Sequence, residues 1–203
     1  MNETADIANN IPAIVLLSMW WAFLSTLDML LTPREPDKAD RIAAKPADGD
    51  EQATPDDPGL REFRKLDPEF NAETFLRGAE RAYEAVLQAY AAGDLATLRP
   101  LLSTEVLETF AEACAERIAR QETLELTFIG IESAEIVGAA TTAEAMEITV
   151  LLRAHVVSAE LSATGDVLRG DPLAVMMTTD LWTFSRPMPA GGAEWRIVAT
   201  DEG

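Results

Sequence analysis

The sequence is poor in the side chains that build covalent or metal chemistry. It holds one cysteine, Cys114, and one histidine, His155, in 203 residues. A single cysteine excludes an internal disulfide framework. One cysteine and one histidine also exclude a zinc site made from several such ligands. Positive charge is scarce as well: 16 Lys and Arg stand against 35 Asp and Glu, a formal net charge of −19. Such a surface repels phosphate backbones and argues against nucleic acid as a partner. Gly165-Asp166 and Gly170-Asp171-Pro172 lack the lysine and following helix of a phosphate-binding loop, and they read as turns. No catalytic, cofactor-binding or metal-binding residue is assigned from these features.

Apolar residues are plentiful at 48%, too many for a wholly disordered chain, and they are unevenly spread. Residues 11–32 carry one charge, Asp28. At about 1.5 Å per residue a helix there reaches about 33 Å, enough to cross a hydrocarbon core. A cleaved signal peptide would need a basic start and a small-residue cleavage site, whereas Glu3 and Asp6 precede this run and no Ala-x-Ala follows it. An uncleaved transmembrane helix is expected over residues 11–32, after a tail of residues 1–10. Arg34, Lys38, Arg41 and Lys45 follow the span and no Lys or Arg precedes it. The N-terminus is thus expected outside and the bulk of the chain on the cytoplasmic side of a bacterial inner membrane. Trp20 and Trp21 fall near mid-span, away from the interfacial belts, and Asp28 lies near the cytoplasmic end. Together these three are a candidate intramembrane contact with other membrane-protein subunits.

Residues 33–66 hold five prolines and mixed charges and read as a tether, within which 60–66 could form a short helix on a partner. From residue 67 the pattern becomes that of a folded domain. Phe75, Ala79, Ala82, Val86 and Tyr90 recur at helical spacing, Gly93-Asp94 ends that helix and caps a short one, and Ser103 opens a third with Val106, Phe110, Ala113 and Ile118 inward. After Glu122 the period becomes two, with strands expected over 124–128, 144–161, 173–186 and 194–200 and hairpin turns at Gly165-Asp166 and Gly191-Gly192. Helices first and antiparallel strands afterwards predict an α+β domain over residues 67–203, with helices on one face of a bent sheet.

Within this domain Asp67-Pro68-x-Phe70 precedes Phe75-Leu76-x-Gly78-Ala79-x-x-Ala82-Tyr83-Glu84 and Gly93-Asp94-x-x-x-Leu98-Arg99-x-Leu101-Leu102-Ser103. Gly170-Asp171-Pro172, Asp180-x-Trp182-Thr183-Phe184-x-Arg186 and Trp195-x-x-Val198-Ala199-Thr200 follow in order. In order and spacing these pieces resemble the Tim44-like family, named after a scaffold subunit of the mitochondrial inner-membrane import motor, and most resemble its membrane-anchored bacterial members. The resemblance covers residues 67–200. It implies a cone of two or three helices on a bent antiparallel sheet, similar to nuclear-transport-factor-two-like domains. It also implies a non-catalytic scaffold, adaptor or accessory subunit of an inner-membrane complex, in protein translocation or complex assembly. The import-motor scaffold's long N-terminal region and basic lipid-binding helices have no counterpart here. Residues 67–203 carry nine basic and 23 acidic side chains, a net of −14, so attachment to the bilayer is assigned to residues 11–32.

Three candidate features remain. Phe110, Phe128, Trp182 and Phe184 could wall an apolar pocket, which gives the alternative of a membrane-tethered module for a lipid or other apolar ligand. Asp180 shares that strand face and is expected to bond to backbone or to Arg186, or with Tyr83 and Tyr90 to form an acid–hydroxyl site of the isomerase kind. Glu105, Glu108, Glu112 and Glu116 recur at spacings of three or four and offer an acidic docking face for a basic protein surface. His155 is expected on an exposed strand face, and Cys114 buried and inert.

Overall fold

A computed structural model describes residues 58–142, 144–188 and 194–202. The transmembrane expectation over 11–32, the tether over 33–57 and the Gly191-Gly192 turn lie outside them. No helix among the described residues is long and apolar enough to cross a membrane.

Among the described residues four helices precede four strands. Helix α1 (Pro58–Leu66) occupies the end of the segment that composition assigns to the tether. Leu60 and Phe63 lie three apart, hence on one helix face, and both are buried in the domain's own core. Phe63 is 0% exposed. It stacks on Trp195 at 5.8 Å and meets Phe70 at 4.6 Å. The short helix expected on a partner is packed instead on its own chain, and the folded unit begins before residue 67.

Helix α2 (Ala72–Ala92) starts where Asn71 accepts the Thr74 N–H. It ends at Gly93, whose φ of 70° is the left-handed conformation that a residue without Cβ adopts freely. Asp94 accepts the Ala96 and Thr97 N–H groups and caps α3 (Leu95–Leu98). Ser103 accepts the Val106 N–H and opens α4 (Thr104–Ala119). The buried stripe of α2 is Phe75, Ala79, Tyr83, Val86 and Ala89, so Tyr83 takes the place expected for Ala82, and Ala89 that expected for Tyr90. On α4 the stripe is Val106, Phe110, Cys114 and Arg117. Ile118, expected inward, is 70% exposed. The inward position goes to Arg117 because its guanidinium donates to the Tyr90 and Ala91 carbonyls in the last turn of α2.

The sheet has the order β1-β2-β3-β4, antiparallel throughout. Its strands are β1 (Thr123–Thr141), β2 (Ala145–Leu161), β3 (Val167–Pro187) and β4 (Arg196–Glu202). Along β2 the even positions from Met146 to Val156 are buried, the period-two pattern of a half-covered sheet. Three register irregularities in β1 bend it, and such bulges increase local twist and curvature. The bent inner face is covered by α1 and α2. Leu102 bridges Ile197, and reciprocal backbone bonds from the Ser103 and Ile197 N–H groups fix the entry of α4 against β4.

Gly165, at φ 85°, makes the β2–β3 turn as expected. Gly170-Asp171-Pro172 is not a connecting turn but a kink inside β3. Asp171 pairs with Ser158 and Met176 with Val156, so four residues of β3 lie opposite Val157 alone. Gly170 has φ 73°, and a Cβ there would stand 2.2 Å from the Ser158 carbonyl oxygen. The two strands approach too closely for any side chain. Asp171 Oδ1 then accepts the Leu173 N–H at 2.8 Å and holds the excursion open.

Phe63→Ala should therefore destabilise the domain by about 3–5 kcal/mol, the cost of truncating a fully buried aromatic. Urea unfolding of the full chain measures it. A change under about 1 kcal/mol, within the range of ordinary surface substitutions, would return α1 to the tether.

Candidate functional site

The inner face of β3 and the facing stripe of α2 bring together the domain's main buried polar group. Tyr83 sits at the middle of α2 with 0% exposure. Thr178, Asp180, Trp182 and Phe184 alternate along β3 and so face the same side of the sheet. The Tyr83 hydroxyl donates to Asp180 Oδ2 at 2.5 Å. With its one proton so used, it accepts from Thr178 Oγ1 at 2.9 Å. Burial, then the Asp180 charge and hydrogen bond, push the Tyr83 phenol far above its ordinary range, so it stays protonated. Burial raises the Asp180 carboxyl above the ordinary aspartate value, opposed by its hydrogen bonds to Tyr83 and Thr178.

The isomerase-like trio is therefore two-thirds assembled. Tyr90 belongs elsewhere: Arg117 lies 4.8 Å over its ring, Phe110 packs against it at 5.2 Å, and burial pushes its phenol up to about 12. Cys114 is buried beside them, and burial raises its thiol pKa, with Arg117 opposing.

Of the four aromatics expected to wall a pocket, Phe128 and Trp182 both meet Tyr83, at 6.3 and 4.7 Å. Phe184 meets Phe75 edge-on at 5.5 Å, and Phe110 packs on Tyr90. Trp182, Phe184 and Phe110 are buried. Asp180 does not use Arg186 as expected. Arg186 instead donates to Asp67 at 2.5 Å and lies 5.0 Å over the Trp195 ring, tying the start of α2 to the end of β3. Phe63, Phe70 and Phe75 surround Trp195 at 4.9–6.4 Å. The pieces Asp67-Pro68-x-Phe70, Phe75, Arg186 and Trp195, scattered through the sequence, thus meet in one aromatic cluster around one ion pair.

Glu105, Glu108, Glu112 and Glu116 are all exposed on α4, with Arg120 3.5 Å from Glu116. His155 is partly exposed, 3.5 Å from Glu132. Trp20, Trp21 and Asp28 lie outside the described residues. Among the described residues no group of His, Cys, Asp and Glu is arranged to hold a metal ion. The sequence reading named Tyr83 beside Asp180 only as one alternative and left it off the buried stripe of α2. The available signal was that Tyr83 stands eight residues after Phe75 and four after Ala79, on the stripe itself.

A carboxyl whose pKa is raised on folding binds its proton more tightly in the folded chain. Its contribution to stability is full below the ordinary aspartate value of 3.8 and is lost as pH rises through the raised value. The unfolding midpoint of the parent chain, relative to Asp180→Asn, should therefore rise as pH falls from neutral towards that value. A difference independent of pH, or one of opposite slope, would contradict the raised carboxyl. Tyr83→Phe should cost about 1–3 kcal/mol by leaving Asp180 short of a buried donor, read from the same unfolding curves.

Comparison with known proteins adds the following. The intermembrane-space region of the chloroplast protein ARC6 matches with 12% identity over 63% of this chain and 95% of that one, at a TM-score of 0.44. An NTF2-like protein of Streptomyces avermitilis, described as a putative dehydratase, matches with 16% identity over 64% of this chain and 95% of that one, at a TM-score of 0.35. No curated protein matches. The family model described as the Tim44-like domain matches residues 57–202, and so takes in α1 as well as the conserved-order motifs around Asp67, Asp180 and Trp195. The chain belongs to the Tim44-like domain family.

Proposed function

We propose that this protein is a membrane-associated, non-enzymatic scaffold. Residues 11–32 anchor it in a bacterial inner membrane, with the N-terminus outside and the Tim44-like domain on the cytoplasmic side. There it serves as an accessory subunit of a larger complex, in protein translocation or in complex assembly. The observation that carries this reading is the state of Tyr83. The acid–hydroxyl pair that resembles catalytic equipment is already engaged: the tyrosine has no exposed surface, and its hydroxyl is held by the half-buried Asp180 and by Thr178. A reacting group must meet its substrate at hydrogen-bond distance. The pair of buried Tyr83 and half-buried Asp180 serves instead to fasten a helix to a sheet. Family membership supports the same reading.

The same packing favours a scaffold over a carrier of lipid or another apolar ligand. Tyr83 and Trp182, 4.7 Å apart, fill the inner face where such a ligand would lie. Trp20, Trp21 and Asp28 supply the contacts of the span with neighbouring subunits.

Gently solubilised from native membranes, the full chain should migrate within an assembly several times its own mass. Replacing Trp20 and Trp21 by leucine should release part of it. Migration as a free monomer under mild conditions would overturn the scaffold reading. A lipid-sized mass retained by the protein in native mass spectrometry, and lost in Trp182→Ala without unfolding, would favour the carrier.

A further inference from the structure

The kink at Gly170 has a consequence at the surface. Strand β4 pairs with β3 only from Asp180 to Ser185. From Val167 to Thr179 the outer edge of β3 has no neighbouring strand among the described residues. That stretch carries Val167, Leu168, Leu173, Val175 and Met177, five of the nine large apolar side chains exposed among the described residues. Leu173, at the excursion, is 92% exposed. Leu173, Val175 and Met177 alternate and so present one apolar row. A long apolar edge strand is a template for pairing with another chain; domains blunt such edges with lysine, proline or a bulge, and this edge has Pro172 and the excursion at 172–175 but no lysine. Residues 67–203 contain no lysine at all. Arg169 on this stretch is turned to Glu160, at 3.4 Å. Asp166 and Asp171 border the row and are exposed.

We infer that the open edge of β3, residues 167–179, receives an extended segment of a basic partner protein. The segment's alternate apolar side chains lie on Leu173, Val175 and Met177, and its lysines or arginines face Asp166, Asp171 and the acidic domain around them. Charge decides between occupants. A domain of net charge −14 repels a second copy of itself and an anionic lipid surface alike, and attracts a cationic chain. Strand addition to an exposed edge supplies main-chain hydrogen bonds, while the apolar row supplies selectivity. This inference rests on the scaffold reading and names the surface that reading requires.

The test uses the full chain in nanodiscs of zwitterionic lipid and a labelled peptide of alternating lysine and valine. The peptide should bind, weaken with added salt, and lose about tenfold or more in affinity when Leu173, Val175 and Met177 are together changed to asparagine, as truncating an interface centre does. These side chains are exposed, so the thermal midpoint should hardly move. A peptide with glutamate for lysine should not bind. Equal binding by parent and triple variant overturns the inference, and so does equal binding of the glutamate peptide. A Leu173→Cys chain that forms a disulfide-linked dimer assigns the edge to a second copy and overturns it too, as does binding of the nanodisc-held chain, with no peptide present, to phosphatidylglycerol vesicles that is lost in the triple variant. None of these results bears on the mass of the native assembly, so failure here is separable from failure of the scaffold reading.

Discussion

The hydrogen bond from Tyr83 to Asp180 is the constraint on which the rest of the domain is built. It joins the centre of α2 to the centre of β3, 97 residues away in sequence. A buried carboxyl without a donor is costly, so α2 has one rotation and β3 one register in which both partners are satisfied. With that register fixed, Thr178, Trp182 and Phe184 face the core on the same side as Asp180, and the residues between them face the other side of the sheet. Asp180 is also the last residue of β3 that β4 covers, through its pairing with Glu202. The covered half of β3 is thus pinned to the helices, and the uncovered half begins at the same residue.

A second fastening closes the other end of the same face. Asp67 follows α1 and precedes α2, while Arg186 stands near the end of β3. Their ion pair is largely shielded from water, and the guanidinium also lies over Trp195. Arginine suits this place because its planar head can bond a carboxylate and rest on an aromatic ring at once. The sequence pieces that resemble the Tim44-like family are mainly these structural groups. They therefore report the fold, and the role has to be argued from the surface.

Much of the domain was legible in the sequence because its signals are local. Gly93, Asp94 and Ser103 act where their own φ, ψ and side-chain reach dictate, and Gly165 makes the turn that its lack of Cβ permits. The α+β order followed from the change of period after Glu122. What was not legible depends on partners distant in sequence. Helical spacing offered Ala82 for the inward place that Tyr83 takes, and only the fold shows that Asp180 and Thr178 satisfy the Tyr83 hydroxyl. Arg117 takes the inward place expected for Ile118 because its guanidinium reaches the carbonyls of Tyr90 and Ala91 on another helix. Helix α1 looked like tether because its two apolar anchors are outnumbered by charges, yet Trp195 waits for Phe63. Gly170-Asp171-Pro172 has a turn composition, and nothing local distinguishes a hairpin from a kink within one strand. Of the candidate site, Asp180, Trp182 and Phe184 share one strand face as read from their spacing, while Tyr83 was one of several partners offered for Asp180 and only the fold selects it.

A closed interior and an open edge together make one demand on the protein in its native membrane. Amide hydrogen exchange, read by mass spectrometry on the free full chain and on the assembled complex, tests it directly. Residues 146–156 at the centre of β2 should exchange slowly in both, and residues 167–179 should exchange quickly in the free chain and slowly in the complex. Unchanged exchange at 167–179 on assembly would contradict a scaffold that works through the edge of β3.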